Sequence, residues 1–224
     1  MPLSDAAETA ALTVRQRCFY LFCALLVLMV AVPFLENSPR GREVLNGISL
    51  VILISSAYAI GRSGGALIIA LLLAAPAAVF QFLSYSYGEP RLNIMSQGFA
   101  AAFYAITISY LLVYSLQREV LTVDKLYGAA AVFLMLAILW AYLYNILLFF
   151  HPGALTLNGQ PINSAAPSSM LYFSVATLTA TGMSDILPVH PLARIVCAFQ
   201  MITGVLFLAV LIARLAGTYP LPTR

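Results

Sequence analysis

The chain has 224 residues, 62% of them apolar and 8% charged, and its eleven Lys and Arg exceed its eight Asp and Glu by three. Apolar runs too long to be loops exclude a soluble domain and indicate an all-α membrane protein, in which charge reports topology. No basic stripe is present, so nucleic acid is not an expected partner, and Cys18, Cys23 and Cys197 lie inside apolar runs without the spacing of a disulfide framework or a metal site.

Runs of the length that suits a hydrocarbon core of about 30 Å cover 18–35, 44–61, 66–85, 94–116, 126–150 and 193–215. Six crossings are expected. The segment 151–191 is polar at its start and broken by Pro152, Pro161 and Pro167, and it holds a half-length apolar run, 170–178. Such a run reads as a re-entrant helix, and the irregular backbone after it is tolerated only where protein or a water-filled cavity surrounds it. Arg15, Arg17, Arg62, Arg118, Lys125, Arg214 and Arg224 fall on one side, Arg40, Arg42, Arg91 and Arg194 on the other. That excess places both termini in the cytoplasm. A cleaved signal is the rival reading of Arg15, Arg17 and the first run, and it is not expected, because Val32, Pro33, Phe34 and Leu35 offer no small-residue site.

The cores of the first five spans hold no Asp, Glu, Lys, Arg or His. Proton relays, coupled-ion sites and voltage sensors need such groups, so none is expected there. The fourth span offers Ser96, Gln97, Tyr104, Thr107, Ser109 and Tyr110, and its small residues Gly98, Ala101, Ala102, Ala105 and Ser109 predict close helix packing. Residues 61–65, GRSGG, read as a tight corner. His151 and His190 fall on the outer side without a visible triad, so the chain is not expected to be an enzyme and no cofactor is implied.

The segment 168–217 carries the strongest pattern. Asn163 or Ser164 is placed to cap a short helix, Pro167 suits its first turn, and the helix continues through Leu171, Tyr172, Phe173 and Val175 toward Thr179. Its carboxyl end would aim partial negative charge at the membrane centre. The hydroxyls of Thr177 and Thr179 have two uses, lining a cavity or bonding back to their own helix carbonyls. After the helix come Ala180, Thr181, Gly182, Met183, Ser184 and Asp185, then Pro188, Arg194 and, inside the last apolar run, Gly204.

This order resembles the re-entrant loop and inner helix of the potassium-channel superfamily, whose filter reads T-x-G-Y-G-D. The resemblance implies six transmembrane helices with a re-entrant pore helix and filter loop between the fifth and sixth, four copies forming one pore. It divides the chain into a cytoplasmic segment (1–17), a four-helix membrane domain (18–120), a pore domain (121–217) and a short tail (218–224). The filter would comprise Thr179, Ala180, Thr181, Gly182, Met183, Ser184 and Asp185. Gly204 would be a hinge, and Val205, Leu208, Ile212 and Leu215 an apolar gating stripe. Four helices before a pore resemble a voltage-sensor arrangement, but the fourth lacks the repeated Arg, so voltage gating is not expected.

The departures fall where selectivity is made. Ser184 stands at the second Gly, where positive φ would be costly. Met183 replaces the bracing Tyr, Ala180 the Thr of the innermost site and Thr181 a Val, while Ala176 stands where relatives carry an acid, leaving Asp185 to pair with Tyr172 or water. A looser filter with fewer stacked carbonyls predicts a weakly selective pore for monovalent cations such as potassium or sodium. Ten residues follow Arg214, so no ligand-binding domain is expected behind the gate. The expected partners are membrane lipids, further copies in a homotetramer and other channel subunits, and the expected location is the plasma or bacterial inner membrane. A pore-derived subunit that no longer conducts is the alternative.

Overall fold

The computed structural model describes residues 17–60, 64–116 and 122–217. The segment preceding Arg17, the corner with Arg62, the loop with Arg118 and the tail with Arg224 lie outside the described residues. Among the described residues there are seven helices and three short strands. The helices are α1 (Arg17–Leu35), α2 (Pro39–Ile60), α3 (Gly64–Tyr87), α4 (Pro90–Leu116), α5 (Val123–Phe150), α6 (Pro167–Leu178) and α7 (Pro191–Gly217). The strands are β1 (Leu155–Leu157), β2 (Gln160–Ile162) and β3 (Ile186–Pro188).

Four helices, α1, α4, α5 and α7, are long and apolar enough to cross a membrane, which makes this a membrane protein. Within α2 and α3 the described residues supply the shorter apolar stretches Glu43–Ser56 and Leu72–Ser84. Helix α2 begins a turn earlier than its apolar run. Ser38 Oγ accepts a hydrogen bond from the Gly41 N–H at 2.9 Å, and Pro39 needs no donor in the first turn, so a side-chain cap draws Arg40 and Arg42 into the helix.

Helix α5 is the hub, packing against α1, α4, α6 and α7. Helix α1 presents Cys18, Leu21, Leu25, Leu28 and Val32, a stripe at alternating three- and four-residue spacing, to the shared core. Gly128 makes the approach possible. A Cβ there would stand 3.1 Å from Ser115 Oγ of α4 and 3.3 Å from Cys18 Sγ of α1. Beside it, the Asp124 carboxylate takes the Cys18 N–H at 2.9 Å and the Tyr114 hydroxyl at 3.2 Å. An acid on α5 therefore satisfies an orphan donor at the start of α1 and complements its dipole.

The expected small-residue seam on α4 is only partly found. Ala101 is buried, but Ala105 and Ser109 are exposed, and a Cβ on Gly98 would meet nothing within 4 Å. The α3–α4 contact uses instead a stacked Phe80–Phe99 pair, with centroids 5.6 Å apart, and Ser96, whose Oγ donates to the Ala77 carbonyl at 2.8 Å. A buried hydroxyl needs a partner in lipid, and the neighbouring helix supplies it.

The segment 151–191 is more ordered than its prolines suggest. It folds into an antiparallel sheet of order β2-β1-β3, with Leu157 opposite Gln160 and Leu155 opposite Pro188. Between β1 and β2 lie only Asn158 (φ 51°) and Gly159 (φ 80°), a pair that adopts left-handed conformations at low cost and closes a two-residue hairpin. Pro161 is tolerated because β2 is an edge strand. Leu155 and Ile186 are buried with Tyr144 and Met170, so the sheet anchors the chain on both sides of α6.

Candidate functional site

Helix α6 has twelve residues, too few to cross a bilayer, and it packs against α5 and α7. Its amino end is not capped by Asn163 or Ser164. Ala166 occupies the cap position without a side-chain bond, Pro167 follows, and the cap comes from elsewhere in the chain. The Glu36 carboxylate, in the turn after α1, takes the Ser168 N–H at 2.9 Å and the Ser168 hydroxyl at 2.5 Å. A carboxylate there favours the helix through its dipole and ties α6 to the front helices.

The flank of α6 is held by polar groups that sequence inspection passed over. Gln200 of α7 is fully buried. Its Nε2 donates to the Ser174 carbonyl at 2.8 Å and lies 2.9 Å from Ser174 Oγ, and its Oε1 accepts from the Tyr144 hydroxyl at 2.5 Å. Ser174 Oγ donates onward to the Ala137 carbonyl at 2.6 Å. This chain of bonds fastens α5, α6 and α7 to one another in an otherwise apolar layer, where an unpaired polar atom would be costly. The signal was available: Gln200 is the one carboxamide in a long apolar helix.

At its carboxyl end α6 closes in a Schellman motif. The Ala180 N–H donates to the Thr177 carbonyl and the Thr181 N–H to the Ala176 carbonyl, each at 3.0 Å. Ala180 takes the left-handed position, φ 56°, that glycine normally fills. The Ala176 carbonyl also accepts the Gly182 N–H at 3.3 Å and Thr181 Oγ1 at 3.2 Å. Thr179 Oγ1 bonds back to the Val175 carbonyl at 2.9 Å, and Thr177 is buried. Thr179 thus makes the local bond while remaining exposed at the loop.

Residues 179–183 and Asp185 form an exposed loop, with Met183 71% exposed. Gly182 has φ 67° and its carbonyl accepts the Ser184 N–H at 3.1 Å. Ser184 does not adopt the positive φ expected of it. Its Oγ instead accepts the Ile186 N–H at 3.1 Å, and the strained non-glycine position is Ala180. Among the described residues no hydrogen bond joins Asp185 to Tyr172; the Asp185 carbonyl accepts the Asn158 N–H at 3.1 Å, which registers the loop on the hairpin.

Residues 129–219 match a family of ion channels. The matched stretch runs from α5 through the loop to the end of α7, which supports an ion-channel pore module there, and α1–α4 lie outside it. No curated protein and no solved structure matches the chain.

Within that module, α7 buries Ala193, Cys197, Gln200 and Gly204 against α5 and α6. Gly204, expected as a hinge, sits against the Leu178 carbonyl at the end of α6. Val205, Leu208 and Ile212 are 54%, 40% and 63% exposed on the neighbouring face, and the side chain of Leu215 lies outside the described residues. The loop and the apolar stripe thus occupy surface that a single chain leaves uncovered.

Proposed function

We propose that this chain is one subunit of a fourfold symmetric channel that passes monovalent cations such as potassium and sodium with weak selectivity and without voltage gating. In this reading it crosses the plasma or bacterial inner membrane six times with both termini in the cytoplasm, assembles with copies of itself among membrane lipids, and admits other channel subunits. The observation that carries the proposal is the placement of α6: a helix too short to span, fastened on its flank by Gln200, whose carboxyl end opens on the exposed Thr-Ala-Thr-Gly loop. Four such ends around an axis would lower the cost of holding a cation, and a ring of Asp185 would draw cations to the mouth. Potassium selectivity rests on successive backbone carbonyls turned toward the ion. The internal bond from Ser184 N–H to the Gly182 carbonyl withdraws one of them, which supports weak selectivity.

The same bonds favour one second reading, a pore-derived subunit that does not conduct, since the Ala176 and Gly182 carbonyls are already satisfied within the chain. Purified protein in vesicles separates the two. A detergent-corrected mass of four copies together with cation flux is expected; a tetramer without flux establishes the second reading, and a monomer defeats both.

A further inference from the structure

The end of α5 and the start of α7 meet through two imidazoles. His151 caps α5, donating its N–H to the Leu147 carbonyl, and His190 immediately precedes α7. Their rings stack with centroids 5.1 Å apart and planes 20° from parallel. His190 is also the side-chain cap of α7: its Nδ1 accepts the Leu192 N–H at 3.2 Å, and its carbonyl accepts the Arg194 N–H at 3.1 Å. That bond requires Nδ1 to carry no proton.

We infer that His151 and His190 form a proton-binding switch that releases the start of α7 when they become charged. Histidine is the side chain that changes charge between about pH 5 and 8. An imidazolium at His190 turns Nδ1 from acceptor to donor, leaves the Leu192 N–H without its partner and sets positive charge against the positive end of a helix dipole. A second imidazolium stacked on it adds like-charge repulsion. The groups around the pair do not offset this. Helix α7 contributes Arg194, itself cationic, whose Nε donates to the Pro188 carbonyl at 3.3 Å. Just before strand β1, the Ala154 carbonyl accepts the Val189 and His190 N–H groups. Asp185, the acid nearest in sequence, precedes β3, and among the described residues no carboxylate bonds either ring. The cap is therefore intact with neutral rings, and a proton on His190 Nδ1 breaks it.

Because α7 runs from this cap to Gly204 against α6, its release would alter the loop, and in the channel reading acidification on this side would lower the current. The proton site does not itself rest on conduction, so its test does not use current. Full-length protein in neutral-lipid vesicles is followed by amide hydrogen exchange at pH 8 and at about 5.5, with rates corrected for intrinsic chemistry. Protection of residues 192–194 in the wild type should fall by about tenfold or more on acidification. His190→Asn keeps a capping acceptor without a titrating ring and should hold protection constant; His151→Phe keeps the stack and should shrink the change. Unchanged wild-type protection, or His190→Asn as pH-sensitive as wild type, overturns the switch. Were His190→Asn not to fold, an equal response in wild type and His151→Phe would overturn it.

Discussion

Gly204 and the Leu178 carbonyl are in direct backbone contact where α7 crosses the end of α6. A Cβ at Gly204 would collide with the carbonyl oxygen and stand 2.8 Å from its carbon, and the obstacle is backbone rather than a side chain that swings away. Gly204→Ala should destabilise the fold by about 1–3 kcal/mol and displace the loop that Leu178 leads into. Thermal unfolding with accessibility labelling at residue 183 checks this. A variant as stable as wild type with an unmoved loop would return Gly204 to the simpler role of a hinge.

The Tyr144–Gln200–Ser174 chain should behave as a unit. Gln200→Leu leaves the Tyr144 hydroxyl with only the weak acceptor Cys197 Sγ, 3.3 Å away, in a buried layer and is expected to cost about 1–3 kcal/mol. Tyr144→Phe combined with it should cost less than the sum of the two single changes. A double-mutant cycle in denaturant reports the coupling, and strict additivity would mean that the two side chains are independent.

Ala180 pays for its left-handed backbone at the end of α6. Ala180→Gly removes that strain while adding chain entropy to the unfolded state, for a net gain of about 0.5–1 kcal/mol. Loss of stability would show that the Schellman closure is not the resting shape of the loop.

Glu36→Ala removes the two hydrogen bonds that hold Ser168 and should cost about 1 kcal/mol, with Glu36→Gln intermediate because it retains an acceptor without the charge. Amide exchange at the first turn of α6 is the readout. Equal protection in all three proteins would remove Glu36 from the support of α6.

The long helices and the short one were legible because a bilayer imposes length and apolarity on any crossing segment. The pore-module stretch was legible through Gly182, Asp185, Pro188, Arg194 and Gly204, all of which fall inside the stretch that matches the ion-channel family. The Asn158–Gly159 hairpin was equally visible as a turn signal, but the prolines around it drew the segment toward irregular structure. What Ala180 does was not legible, since alignment on a filter pattern records its missing hydroxyl and not its φ. Glu36 and Ser168 lie 132 residues apart, and only the packing of α1 against α6 brings them together. Gln200 shows the opposite case, the one carboxamide of its helix, whose need for a partner was evident from the apolar residues around it.

The central claim is a weakly selective cation pore, and the reversal potential under potassium on one side and sodium on the other tests it most directly. Single-channel recording of the purified chain in a bilayer should give a current that reverses close to zero and excludes chloride. Reversal near the potassium equilibrium potential would contradict weak selectivity, and a tetramer that carries no current would contradict the pore itself.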